Sequence, residues 1–98
     1  MVIEWTESAE RDLEKIYAFY VRTASKRVAK KVINELLATT RSLRLGMYLG
    51  QEEGLLTQYG QGHRYLICRH VKVIYLPLEE RALITHVFDT RRNPSDLK

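Results

Sequence analysis

The sequence predicts an α+β fold, in which an N-terminal strand and an antiparallel helical hairpin pack on a mostly antiparallel β-sheet (β-α-α-β-β-β-β). Three observations support it: two amphipathic stretches of helical period in the first half, a very short connection between them, and three runs rich in β-branched and aromatic residues in the second half. Such an order is typical of a two-layer α+β domain. We expect residues 1–98 to form a single domain.

The first half of the chain predicts one strand and two helices. Val2–Trp5 is a short apolar run, and Thr6 is a good N-cap for a first helix that extends to about Arg22. Ser25 is the expected cap of a second helix with a wide apolar surface. Because residues 23–25 are all that separates the two helices, they should lie antiparallel.

The second half predicts strands at residues 64–69, 72–76 and 82–88, which form an antiparallel meander. The middle run should end at Pro77, because proline cannot donate to a ladder. The turn near His70 contains no glycine, so its position stays open. Residues 44–54 read as a loop, and residues 55–59 as a further strand before the meander.

Both faces of the meander are apolar at their centre. Alternation places Tyr65 and Ile67 on one face and Leu66 and Cys68 on the other. A sheet that is wet on one side should alternate between apolar and polar residues. Because two helices can cover only one face, we expect the other face to be covered by the chain or by a partner.

Sixteen basic and twelve acidic residues give the chain a net charge of +4. This charge favours an acidic partner, either nucleic acid or an acidic protein segment, although it is also an ordinary charge for solubility. The single cysteine excludes a disulfide within the chain and indicates the reducing cytoplasm. Glu4 lies too near the start for a signal peptide, and no apolar run reaches membrane-spanning length.

No residue spacing in the sequence predicts a metal site. His63, His70 and His86 lack ligand spacing with carboxylates or with Cys68, and Cys68 itself reads as a small core residue. No glycine loop precedes a helix in the way that a phosphate cradle requires. We therefore expect neither a metal nor a cofactor.

Charged and aromatic residues offer three candidate binding surfaces. Arg64, Arg91 and Arg92 flank the meander and could bind phosphate or carboxylate, although Arg64 could instead form a structural ion pair with Asp89. A basic row on the second helix is better explained as a solvated face. Among the aromatic residues of the first helix, Phe19 is the best candidate for an exposed contact. The basic row comprises Lys26, Arg27, Lys30 and Lys31.

Three segments together resemble the RelE/ParE superfamily of bacterial toxins over essentially the whole chain. They are W-T-E-S-A-E-R-D-L-E-K-I after the first strand, H-R-Y-L-I before V-K-V-I-Y, and the closing V-F-D-T-R-R-N-P. The resemblance implies the toxin half of a type II toxin–antitoxin pair, whose antitoxin wraps the toxin with a C-terminal segment that is often acidic. Phe19, Tyr20, Arg69 and Lys72 are then the candidate antitoxin-binding residues.

The superfamily has two branches with different targets. RelE-like members cleave mRNA on the ribosome with basic residues and often a tyrosine or histidine, whereas ParE-like members inhibit DNA gyrase. Arg64 matches the superfamily arginine at the head of the central strand, and Arg91 the basic position after the last strand. Residues 55–59 contain no basic residue and residues 94–98 no tyrosine or histidine, so the groups that ribonuclease members carry at these two places for acid–base catalysis are missing. The sequence is therefore closer to the ParE-like branch.

Three functions stay open on the sequence alone. The first is a toxin that binds DNA gyrase through Arg64, Arg91 and Arg92. The second is a ribosome-dependent mRNA endonuclease that uses Arg64, His86 and Arg91. The third is an interaction module without toxicity, such as a decayed plasmid-maintenance protein.

Overall fold

The computed structural model describes residues 2–46, 50–54 and 60–91. Two helices and a five-stranded mixed sheet form the α+β fold that the sequence predicts. The elements are β1 (Val2–Trp5), α1 (Glu7–Thr23), α2 (Lys26–Arg41), a 3₁₀ helix (Ser42–Leu45), β2 (Gln51–Glu52), β3 (Arg64–Cys68), β4 (Val71–Leu78) and β5 (Arg81–Asp89).

The strands are arranged in the order β1-β5-β4-β3-β2. β3, β4 and β5 pair as consecutive antiparallel neighbours, which confirms the predicted meander. β1 joins the sheet in parallel with β5, and β2 pairs antiparallel with β3. The sheet is therefore mostly antiparallel, with one parallel strand at its edge.

Both predicted helix caps are present. The hydroxyl of Thr6 accepts a hydrogen bond from the backbone N–H of Ala9 at 3.0 Å, and that of Ser25 accepts one from Val28 at 3.1 Å. Each bond satisfies one of the main-chain donors that a helix N-terminus leaves free. Among the described residues, neither helix is long and apolar enough to cross a membrane.

Two predicted strand ends were wrong. Pro77 does not end β4, which continues to Leu78 with Pro77 opposite Ala82 of β5. β4 pairs with β3 only as far as Tyr75, two residues before Pro77. The missing N–H of Pro77 therefore interrupts no hydrogen bond to β3. Arg69 belongs to the turn and not to β3, because it takes a left-handed backbone conformation with φ of 58°.

The predicted loop at residues 44–54 contains regular structure at both ends. The 3₁₀ helix extends α2, and the two residues of β2 pair with Tyr65 and Arg64. A two-residue strand is too short for its periodicity to be visible in the sequence. The strand predicted at residues 55–59 lies outside the described residues.

The main core lies between the helices and the sheet. Val32 and Leu36 of α2 and Ala9 of α1 are fully buried against the face of β4 and β5 that carries Val73 and Ile84. Partly buried side chains from both helices, including Tyr20 of α1, pack around this cluster. This is the helix-covered face that the apolar rows of both helices predict.

The chain itself covers the centre of the opposite sheet face. Ile74 is 0% exposed and Phe88 8% exposed, and Tyr65 packs against them. On the same face the ammonium group of Lys72 pairs with the carboxylate of Glu53, which is 1% exposed, at 2.9 Å. The sequence left open whether the chain or a partner covers this face. At its centre the chain itself does so.

Candidate partner-binding site

A cavity of about 460 Å³ lies between α1 and the ends of β4 and β5. Its wall combines apolar side chains of the helix and the sheet with several charged side chains. A space of this size can hold a few apolar side chains of a bound partner. The lining residues are Asp12, Lys15, Ile16, Ala18, Phe19, Tyr20, Arg22, Val71, Val87 and Asp89.

The cavity forms where β5 extends beyond its parallel neighbour β1. The register of the two strands ends at Trp5 and Ile84, and the N–H of Thr6 donates to the Ile84 carbonyl at 3.0 Å. Further along β5, the Oδ2 atom of Asp12 accepts a hydrogen bond from the N–H of Val87 at 3.1 Å. Asp12 thereby satisfies a main-chain donor on the β5 edge, and α1 lies alongside the strand in place of β1.

Arg91 follows the end of β5 next to this cavity. Its Nε and Nη2 atoms donate to the two carboxylate oxygens of Asp89 at 3.0 and 2.8 Å, a bidentate pair. These hydrogen bonds hold the pKa of Asp89 below its usual value. The carboxylate of Asp89 raises the pKa of Arg91, and Tyr20 adds smaller contributions. Both groups are therefore charged at neutral pH, and the guanidinium has a fixed orientation close to Tyr20.

Arg69 forms a second bidentate pair, with Glu35 of α2. Its Nε and Nη2 atoms donate to the carboxylate oxygens of Glu35 at 3.1 and 2.9 Å. This hydrogen bonding lowers the pKa of Glu35 and raises that of Arg69, to which Tyr20 again contributes. The pair connects the β3–β4 turn to α2 and places Arg69 on the same side of the molecule as Tyr20 and Arg91.

Tyr20, near the C-terminal end of α1, lies close to both arginines. It is half-buried and packs on the main core, and its ring meets that of Phe19 edge to face with 5.3 Å between centroids. Phe19 is 39% exposed, so the exposure predicted for it is confirmed. We call Phe19, Tyr20, Arg69 and Arg91 the Tyr20 cluster. It unites three of the candidate antitoxin-binding residues with one candidate for target binding.

Arg64 begins β3 beside the middle of β4, well away from Arg91. It pairs across the ladder with Tyr75, whereas Asp89 pairs with Val71, about 13 Å away along β4 at the usual rise per residue. The Nη1 atom of Arg64 donates to the carbonyl oxygen of Gly50 at 2.7 Å. The ion pair considered for Arg64 and Asp89 is therefore wrong, since Asp89 pairs with Arg91.

Lys72 is the candidate antitoxin residue that lies apart from the Tyr20 cluster. It points to the sheet face opposite the helices, where its ammonium group binds Glu53 and lies 4.3 Å from the centroid of the Tyr65 ring. The side chain is 19% exposed. Its position is explained by this buried ion pair, because a buried carboxylate needs a cation or hydrogen-bond donors beside it.

His86 also lies on the sheet face away from the helices. Its Nδ1 atom is 2.8 Å from the hydroxyl oxygen of Thr85, and its ring centroid is 6.3 Å from that of His63. Burial, with a smaller effect of His86, lowers the pKa of His63. The three residues considered for an endonuclease do not converge, because Arg64 lies about 13 Å along β4 from the row of Asp89, which holds Arg91, and His86 lies on the other face of the sheet.

Arg92 lies outside the described residues, so its predicted role stays a prediction. Sequence reasoning missed Glu35 and Asp12, and it assigned Asp89 to the wrong arginine. Asp12 did leave a signal, since it lies four residues before Ile16 on the apolar side of α1. The Glu35 pair joins two elements 34 residues apart, and no local pattern reports such a contact.

The Tyr20 cluster and the cavity together can bind an acidic, amphipathic protein segment. Two guanidinium groups are held in place by carboxylates, an aromatic ring is exposed near them, and a cavity with apolar and charged side chains in its wall opens next to α1. Arginine and aromatic side chains are the residue types enriched at the centres of protein interfaces.

Comparisons with known proteins agree with this architecture. A family model described as "ParE toxin of type II toxin-antitoxin system, parDE" matches residues 3–94. A solved structure described as "Chromosomal ParDE TA system from P. aeruginosa" superposes with a TM-score of 0.76 at 19% sequence identity, and the match covers 91% of this chain and 95% of that chain. At this identity the likeness shows the fold. No curated protein sequence matches the chain.

Proposed function

The chain belongs to the ParE toxin family of type II toxin–antitoxin systems, and from this premise we propose that it inhibits growth by binding DNA gyrase in the cytoplasm. A cognate antitoxin neutralises it with an acidic C-terminal segment that covers the Tyr20 cluster and the neighbouring cavity. The observation that carries this proposal is that Arg69 and Arg91 both lie close to Tyr20, near a cavity whose wall is partly apolar.

The antitoxin segment makes two kinds of contact in this proposal. Its apolar side chains enter the cavity beside Phe19 and Ile16, and its carboxylates approach the guanidinium groups of Arg69 and Arg91. Burial of apolar area supplies most of the affinity, while the arginines fix the orientation and select an acidic partner. Because both arginines are already held in place, little side-chain entropy is lost on binding.

Arg91 and Arg92 make the target contact in the same proposal. Arg91 lies beside Tyr20, so an antitoxin that covers Tyr20 also covers Arg91 and blocks the target. Arg64 has a different role here, since its bond to the Gly50 carbonyl positions the segment before β2. Lys72 likewise serves the buried pair with Glu53.

A RelE-type endonuclease is the competing function. General acid–base catalysis needs its groups within hydrogen-bond reach of one substrate. The separation of Arg64, His86 and Arg91 supports gyrase binding over a mechanism that uses these three residues together.

Induced expression in growing cells tests the proposal, with and without the product of the neighbouring antitoxin gene. Arg91→Ala should relieve growth inhibition, whereas Arg69→Ala and Phe19→Ala should keep the toxicity but weaken the rescue by antitoxin. His86→Gln is the matched control, because its position on the opposite face predicts unchanged toxicity and rescue. Immunoblots of the soluble fraction check that each variant accumulates. Loss of toxicity in soluble His86→Gln, with Arg91→Ala still toxic, would contradict the proposal.

A further inference from the structure

The positive charge of the chain is concentrated on α2. This helix contains five basic residues and one acidic residue, for a net charge of +4, which equals the net charge of the whole sequence. All other residues together are therefore electrically balanced. The basic residues of α2 are Lys26, Arg27, Lys30, Lys31 and Arg41, and each is exposed.

Four of these basic residues occupy positions at which their charge does not stabilise the helix. Lys26 and Lys30, and Arg27 and Lys31, are like-charged pairs four residues apart, and such pairs destabilise a helix slightly. They also lie in the first two turns, near the positive end of the helix dipole, and the first turn contains no acidic residue. Helix stability therefore does not account for this arrangement.

The single acidic residue of α2 does not offset the basic row. The carboxylate of Glu35 is held by the two hydrogen bonds from Arg69. The pKa of Glu35 is also lowered by Lys31, so Lys31 lies close to it. The basic surface thus continues from α2 through Arg69 to the Tyr20 cluster.

The composition of this surface indicates the kind of anion that it fits. Among the described residues, the large exposed apolar side chains lie on other elements, so a protein partner would find no apolar anchor on the basic row of α2. α2 also contains no aromatic residue, whereas proteins that bind single-stranded nucleic acid stack bases on aromatic rings. A row of lysine and arginine on a straight helix instead matches the regularly spaced phosphates of a duplex.

We propose that the basic row of α2 (Lys26, Arg27, Lys30 and Lys31) binds the phosphate backbone of duplex DNA without sequence preference. Successive cations on the same side of the helix are four residues apart, about 6 Å along its axis, so several can contact one backbone at once. The choice of DNA over duplex RNA rests on the proposed gyrase target, because gyrase acts on duplex DNA. Binding of a duplex backbone rests on α2 alone.

The basic row of α2 lies near Arg91, the residue proposed to contact the target. Arg69 pairs with Glu35 on α2 and lies close to Tyr20, which also lies close to Arg91. A toxin bound to gyrase through Arg91 would therefore present α2 on the adjoining surface, where it can contact the DNA that the enzyme holds.

Fluorescence anisotropy with a labelled 20-base-pair DNA duplex tests the proposal on the purified chain, in the absence of gyrase. Four phosphate contacts predict a slope of log affinity against log salt of about −3.6, so affinity should fall about 150-fold between 50 and 200 mM salt. The variant Arg27→Gln/Lys30→Gln/Lys31→Gln should retain a slope of about −0.9, a fall of about 3- to 4-fold over the same range.

The matched control is Arg11→Gln/Arg44→Gln/Arg81→Gln, which removes the same charge from exposed positions on other elements. It should keep the slope of the wild type. Circular dichroism checks folding, and the α2 variant should melt no lower than the control, because it removes repulsive pairs. Equal loss of binding in both variants would overturn the proposal, since net charge alone would then explain it.

Competition experiments separate the alternative anions. Unlabelled duplex DNA should displace the probe at lower phosphate concentration than single-stranded RNA, duplex RNA or polyglutamate. Stronger competition by polyglutamate would assign α2 to an acidic protein partner, and stronger competition by either RNA would assign it to RNA, and both results contradict the proposal. Because gyrase is absent, a failure here leaves the gyrase proposal standing. A failure of the gyrase proposal would remove only the reason to prefer DNA over duplex RNA, because binding of a duplex backbone rests on α2 alone.

Discussion

Asp89 and Glu35 determine how the two arginines of the Tyr20 cluster are presented. Both ion pairs are substantially exposed, with side-chain exposures of 50% for Arg91 and 36% for Arg69. Exposed pairs contribute little to folding stability, so their main effect is to fix the guanidinium planes. The sequence places Arg91 after the last strand, but its pairing with Asp89 and its approach to Tyr20 depend on tertiary contacts.

The packing around Gly50 leaves no room for a side chain. A Cβ atom there would lie 2.5 Å from the carbonyl oxygen of Tyr65 and 2.7 Å from the hydroxyl of the buried Tyr75. The N–H of Gly50 also donates to that hydroxyl at 2.9 Å. Gly50→Ala should therefore lower the free energy of unfolding by about 1–3 kcal/mol, as overpacking does elsewhere.

Urea denaturation measures this effect, with Gly54→Ala as the control. A Cβ atom at Gly54 would meet no atom within 4 Å, so the change there should stay within about 0.5 kcal/mol. Equal stability of the two variants would show that Tyr75 and β2 do not pack as described.

His63 should make stability depend on pH. Burial lowers its pKa from the usual 6.5, and the Nδ1 atom is buried without a hydrogen-bond partner among the residues that the structure describes. The unfolded chain therefore binds a proton at this site more tightly than the folded chain, so stability is lost as pH falls below about 6.5. The lowered pKa values of Glu35 and Asp89 act only at more acidic pH.

The melting temperature between pH 7.5 and 5.0 tests this expectation. His63→Gln should show a smaller decrease than the wild type over that range, because the buried titrating group is gone. His70→Gln, at an exposed turn position, should retain the wild-type decrease. A profile that is identical in the wild type and His63→Gln would rule out His63 as the source.

The helices are the elements that the sequence predicts best. Their caps, their apolar rows and the short connection are local signals, and the structure contains all of them. The sheet is predicted less completely. β2 is too short to leave a pattern, and a left-handed Arg69 closes the β3–β4 turn without the glycine that usually marks it. β4 can contain Pro77 because β3 no longer pairs with β4 at that position, and only the strand register shows this.

Leu36→Ala tests the packing of the helical hairpin on the sheet. Leu36 is fully buried in the main core, so its truncation should cost about 2–5 kcal/mol. Asn34→Ala on the exposed side of the same helix should change stability by less than about 0.5 kcal/mol. Denaturant melts that show a loss below about 0.5 kcal/mol for Leu36→Ala would contradict the packing.

At the scale of the whole molecule, the fold has two adjoining surfaces and, on the opposite sheet face, a buried ion pair. The Tyr20 cluster and its cavity lie beside the C-terminal end of α1, the basic row lies on α2, and the buried pair of Lys72 and Glu53 lies on the opposite sheet face. The sequence predicts the net charge and the acidic partner. It does not predict that the candidate arginines Arg64 and Arg91 lie far apart along the sheet, because that depends on strand register.

The central claim is that the chain inhibits DNA gyrase. A supercoiling assay with purified gyrase tests it most directly. The wild-type chain should block supercoiling of relaxed plasmid, and added antitoxin should restore it. Arg91→Ala should raise the concentration needed by about 30-fold, a loss of about 2 kcal/mol as for other interface arginines, while the exposed control Arg44→Ala should act like the wild type. Unimpaired supercoiling, together with cleaved ribosome-bound message in primer extension, would contradict the account and establish the endonuclease instead.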